Sequence, residues 1–141
     1  MITWKIKDVF FDRAAVVSAV DAAKRKVLSK AGAFIRQAAK TSIRKRKGTS
    51  RPGQPPFSHE GSLRKRIYFG YDRKSDSVVI GPVGFTRSVA PHVLEYGGTT
   101  TLSRRGKKQS VKIAARPYMW PAFQKEREKL PLLWRNSVRR G

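Results

Sequence analysis

The sequence predicts an α+β fold: a long N-terminal helix, a small, mostly antiparallel sheet, a short central helix and a C-terminal helix. Three observations carry this. An apolar stripe with the helical period runs through the first third of the chain. Two strand–turn–strand patterns follow it. Proline and glycine punctuate the boundaries between them.

Residues 3–11 alternate loosely and predict a short strand. Asp12 then suits an N-cap, followed by Arg13, Ala14 and Ala15. The stripe Val16, Val20, Ala23, Val27, Ala31, Phe34 and Ala38 advances in steps of three and four, and Ile35, Ala39 and Ile43 widen it. The predicted helix covers 12–46, about 52 Å at about 1.5 Å per residue. A domain of this size has a radius of gyration near about 14 Å. The helix is therefore expected to project its basic C-terminal end, with Gly32 its one weak point.

Residues 47–62 hold three prolines and three glycines and predict a long flexible loop, with Pro55 and Pro56 favouring an extended path. One helical turn is expected over 63–67. Strands over 67–71 and 77–80, joined by a polar turn, predict a hairpin. Ala90, Pro91, His92, Val93, Leu94, Glu95 and Tyr96 fit a short helix stopped by Gly97. Residues 99–102 and 110–114 are strand-like, and the basic loop 103–109 joins them. Pro121 suits the first position of a last helix with Phe123, Leu130, Trp134 and Val138 inward, and Pro131 should kink or divide it. There is no internal repeat, and the length favours one domain, 1–141.

Charge is the outlying property. Lys and Arg total 32 against 9 Asp and Glu, a net charge of +23, in a chain that is 39% hydrophobic. That apolar fraction is too high for a disordered basic tail. No acid lies between Asp21 and Glu60, nor between Glu95 and Glu126. Such one-sign segments attract polyanions or acidic protein surfaces.

With no cysteine, a disulfide framework, a thiolate metal site and a cysteine nucleophile are excluded. The longest stretch free of Asp, Glu, Lys and Arg, 77–86, falls far short of the roughly 20 apolar residues of a membrane span. The first residues lack the apolar run of a signal peptide, so a chain made and kept in a cytoplasm is expected.

Chemistry is sparse. His92 and Glu95, three apart on one helix face, suit an acid–base pair or a plain local hydrogen bond. His59 and Glu60 have no third partner, and two histidines 33 positions apart make no metal site. There is no phosphate-binding Gly-rich loop ending in Gly-Lys-Ser/Thr and no nucleophile elbow. Neither an enzyme nor a cofactor is expected. Clustered cations with interspersed aromatics (Trp4, Phe34, Phe57, Tyr68, Phe69, Tyr71, Phe85, Tyr118 and Trp120) leave nucleic-acid binding as the candidate from composition. Core packing is the expected role for the aromatics in strands.

Three segments, in order, carry a resemblance. They are Ser50-Arg51-Pro52-Gly53-Gln54-Pro55-Pro56 with Gly61-Ser62-Leu63-Arg64, then Val93-Leu94-Glu95-Tyr96-Gly97-Gly98, then Ala115-Arg116-Pro117-Tyr118-Met119-Trp120-Pro121-Ala122. Following a long helix, and with Ile80-Gly81-Pro82 between them, they resemble the small neck or tail-completion proteins of long-tailed bacteriophages, over about 12–125. The resemblance implies a virion protein without enzyme activity. It also implies a ring, most often a hexamer, that joins the head connector or stopper to the tail terminator or tail tube. Pro52, Gly53, Pro55, Pro56, Glu95, Tyr96, Arg116, Pro117, Tyr118 and Trp120 become candidate subunit or partner contacts. Arg44, Lys45, Arg46, Lys47, Arg104, Arg105, Lys107 and Lys108 become candidate contacts to packaged DNA or an acidic partner. The motif residues equally suit packing within one subunit, including a Glu95–Arg116 pair. The alternative is a free, basic nucleic-acid-binding protein.

Overall fold

The computed structural model describes residues 13–85 and 88–138. The strand expected over 3–11 and the N-cap Asp12 lie outside them. The first element is α1, Arg13–Ser42, an unbroken helix of 30 residues, about 45 Å long. Its burial is lopsided. Val16, Val17 and Val20 are exposed, whereas Ile35, Ala39 and Ile43 enter the core with Leu63, Ile67, Tyr118 and Ala122. The expected projection is therefore reversed: the N-terminal end is the exposed one.

The helix also stops before residue 46. The Thr41 hydroxyl donates to the Gln37 carbonyl oxygen at 2.8 Å, and the Ser42 hydroxyl to that of Ala39 at 2.8 Å. Such side-chain bonds compete with helix continuation. The chain then turns extended. The Ser58 amide donates to the Arg44 carbonyl oxygen at 3.0 Å, and Arg44 bridges in parallel to Phe57.

Gly32 is no weak point. A Cβ placed there would lie 2.7 Å from Val78 Cγ2 and 2.8 Å from Phe69 Cδ2. The missing side chain lets the first hairpin lie against α1, which outweighs the helix-propensity cost. That hairpin follows a single-turn helix, α2 (Ser62–Lys65), and pairs β1 (Ile67–Asp72) with β2 (Ser77–Pro82) antiparallel, from Ile67↔Pro82 to Asp72↔Ser77. Its turn is tied by Asp72, which accepts from the Lys74 amide at 3.0 Å and the Ser75 hydroxyl at 2.6 Å.

Next come α3 (Ala90–Tyr96), with Gly97 at its end, and a second antiparallel pair, β3 (Gly98–Arg104) with β4 (Lys107–Ile113). The expected single sheet is thus two separate two-stranded sheets. β1–β2 packs on α1, but the Thr-, Ser- and Lys-rich β3–β4 ribbon makes its main contact outside itself with α3, at its root.

Two helices close the described chain, α4 (Met119–Arg127) and α5 (Leu130–Trp134). The division falls where Pro131 predicts it. The helix begins two residues before Pro121, in a first turn where the missing N–H is tolerated. Ala122 and Glu126 face inward, while Trp134 and Val138, expected inside, are exposed.

Candidate functional site

The site is built around the first turn of α4. A helix start leaves backbone N–H groups without intrahelical partners, and no side chain of the Tyr118 N-cap satisfies them. Glu95, on the last turn of α3, reaches across to do so. Its Oε2 accepts from the amides of Tyr118 at 2.9 Å and Met119 at 3.0 Å, and its Oε1 from that of Trp120 at 2.8 Å. A buried carboxylate at the positive end of a helix is stabilised by the backbone dipoles as well as by the hydrogen bonds. Burial raises the Tyr118 phenol's pKa, with the neighbouring Glu95 charge adding to the rise.

Arg116 binds elsewhere. Its amide donates to the Leu94 carbonyl oxygen at 2.6 Å, its Nε to that of Ser50 at 3.0 Å and its Nη1 to that of Ala114 at 3.1 Å. The expected Glu95–Arg116 ion pair does not form. Three backbone amides converging on one carboxylate satisfy it without a cation. The Gly53 amide donates to the Ala115 carbonyl oxygen at 2.8 Å, closing the link to the proline-rich loop.

The three sequence segments, scattered over about half the chain, therefore meet at one node. Within it Pro56 and Tyr118 are buried, Pro55 and Pro117 half-buried, and Pro52 and Gly53 exposed. Loop 47–62 is fastened again where His59 Nε2 lies 2.9 Å from the Gly48 carbonyl oxygen.

The node presents two large aromatics outward. Tyr96 is 74% exposed and Trp120 59% exposed, directly beside the buried Glu95 and Tyr118. Trp120 stacks at a tilt on Phe123, with ring centroids 5.6 Å apart. These rings line an open, mainly apolar groove of about 650 Å³, whose far wall is Leu28, Ile35, Val78 and Ile80. His92 points edge-on to Tyr96 at 4.9 Å. It does not bond to Glu95, so the pair expected from their spacing is absent.

The cations divide into two populations. Some on α1 and the loops are used internally. Lys24 binds Asp76, which also accepts from the Tyr71 hydroxyl. Arg36 Nε donates to the Ile67 carbonyl oxygen at 2.7 Å. Arg25, Arg36, Arg46 and Arg66 lie over the rings of Tyr71, Tyr68, Phe57 and Phe85 at 5.4–5.8 Å. Thus the strand aromatics Tyr68 and Tyr71, expected in the core, instead lie under arginines, whereas Phe85 also packs against the core.

In the second population, Arg104, Arg105, Lys107 and Lys108 are exposed on the ribbon, and their side chains bond to no described residue. Arg44, Lys45 and Lys47 are exposed on the segment leaving α1. Neither group bonds to the Glu95 node.

Asp76 escaped the sequence reading, which saw a plain turn. Lys24 first and Tyr71 second hold its carboxyl below the ordinary carboxylate range. Its signal was its place in a polar turn opposite a helix of cations.

Among the described residues, no group of three or more His, Cys, Asp or Glu side chains is placed to hold a metal ion, and no helix is long and apolar enough to cross a membrane. Comparison with family models, curated proteins and solved structures gives no match.

Proposed function

We propose that this chain is a structural subunit of a phage neck, a ring-forming protein that joins the head connector or stopper to the tail terminator or tail tube. One observation supports this above the others. The segments that carry the resemblance are bound to one another through Glu95 and Arg116, and the surface they build exposes Tyr96 and Trp120 beside an apolar groove. Exposed aromatics around an apolar recess are the anatomy of an interface core. Both carboxylates lining the groove, Glu95 and Asp76, are already engaged.

On this reading the mechanism is assembly. Subunits, most often six, dock about an axis, and the apolar face of each is covered by its neighbour or by the next layer. The positive charge would face packaged DNA or an acidic layer of the neck. The site of action is the virion neck, reached from the host cytoplasm during assembly.

Electron microscopy of particles made by the phage with this gene deleted tests the proposal. DNA-filled heads beside separate, complete tails are expected. Normal, infectious virions would overturn it and favour a free nucleic-acid-binding protein.

A further inference from the structure

We infer that the β3–β4 ribbon is a duplex-gripping arm, holding the phosphate backbone of double-stranded nucleic acid through its hydroxyl-and-ammonium face and its cationic tip. The inference goes beyond the joining role and does not depend on it.

The register sorts the ribbon's side chains. Cross-strand partners share a face, and faces alternate along each strand. Thr99↔Lys112, Thr101↔Ser110 and Ser103↔Lys108 fall on one face, which is wholly hydroxyl and ammonium. Thr100↔Val111 and Leu102↔Gln109 fall on the other, with Ile113 at the root. Arg104↔Lys107 continues this second face at the tip, and Arg105 sits in the turn, so cations flank the tip on both faces. No carboxylate lies between residues 96 and 125. The nearest acid in sequence, Glu95, is buried and accepts three amides. The five cations Arg104, Arg105, Lys107, Lys108 and Lys112 bond to no described side chain, whereas Lys24, Arg25 and Arg36 on α1 are already used.

Shape favours a duplex over an acidic protein surface. The ribbon is a free two-stranded arm about 20 Å long, and a two-stranded ribbon fits the major groove, about 12 Å wide. Hydroxyls alternating with ammonium groups suit a row of phosphates, which accept from both. Gly97 and Gly98, with φ of 73° and 143°, set the arm's angle to α3. A Cβ on Gly97 would lie 3.0 Å from the Ala115 amide nitrogen.

The test compares two variants of the full chain that lose equal charge. One is R104Q/R105Q/K107Q/K108Q/K112Q. The other, K26Q/K30Q/R64Q/K65Q/K125Q, removes exposed cations from other elements. Binding to a mixed-sequence duplex is followed across a salt series, with polyglutamate as the competing polyanion and circular dichroism to confirm folding.

The ribbon variant should lose most of its affinity, and its log–log salt slope should be shallower than wild type by about 4 to 5, as for five lost phosphate contacts. The control should keep a slope within about one of wild type. Equal losses in both variants would reduce the effect to net charge and overturn the inference. So would an unchanged ribbon variant. If wild type prefers polyglutamate to duplex, and the ribbon variant loses that preference, the arm belongs to an acidic protein surface instead.

Discussion

The molecule contains two antiparallel hairpins of similar length whose situations are opposite. β1–β2 lies across α1, seated on Gly32, with Asp76 in its turn held by Lys24 and Tyr71 and its aromatic rings covered by arginines. β3–β4 stands on its root, and the side chains of its cations bond to no described residue. An isolated two-stranded hairpin is marginal in water, so the second depends on what fastens its base. The contrast shows that hairpin formation and hairpin burial are decided separately. Strand propensity and a turn make the pair, but a complementary surface elsewhere, here a bare glycine on a helix, decides whether it joins the core.

The strongest way to break the contrast is at the base of the ribbon. Glu95→Ala leaves three backbone amides at the start of α4 without an acceptor and should destabilise the fold by about 3 kcal/mol or more. Glu95→Gln, which keeps one acceptor oxygen, should cost less. Denaturant unfolding of both checks this, and equal stability of wild type and Glu95→Ala would remove the capping role.

Next in size is Gly32→Ala. Overpacking against Phe69 and Val78 costs about 1–3 kcal/mol, while the gain in helix propensity offsets about 1 kcal/mol. A net loss of up to about 2 kcal/mol is expected, and a stabilised variant would show that the hairpin is not seated there.

Trp120→Ala and Tyr96→Ala should move stability by less than about 1 kcal/mol, because both rings are largely exposed. They should nevertheless reduce head–tail joining in a complementation assay. Joining at wild-type levels would argue that the groove stays uncovered in the assembly.

The smallest effect is on pH. Asp76 is held below its ordinary pKa, so whatever stability it contributes is present above the ordinary aspartate value of 3.8 and is lost as pH falls through the lowered one. The raised pKa values of Lys24 and Tyr71 act at the other end, losing their contribution as pH rises above 10. Asp76→Asn should flatten the acid limb of a melting curve, and neutralising the ribbon should leave that limb alone.

Element order and most element bounds were legible because caps, turn residues and the helical period are local signals. The direction in which α1 is exposed was not. The stripe has the same period at Val16 as at Ile43, and only the elements packed against it distinguish the two ends. Gly32 misled for the same reason, since its use lies in Phe69 and Val78. The Glu95–Arg116 pair failed because counting charges ignores the backbone, and a helix start supplies three donors that no side-chain inventory shows. The three motif segments were legible as a set, whereas their meeting through Ser50, Leu94 and Ala115 carbonyl oxygens was not, because main-chain acceptors carry no residue signature.

The ribbon's charge has one further consequence. Both of its strands are edges, with a row of backbone N–H and C=O groups open to another chain. Lysines and arginines along it make two ribbons repel, which keeps them from zipping together. A bound polyanion removes that repulsion, so the condition that occupies the ribbon also unmasks its edges, and subunits crowded onto one strand of nucleic acid become able to pair edge to edge.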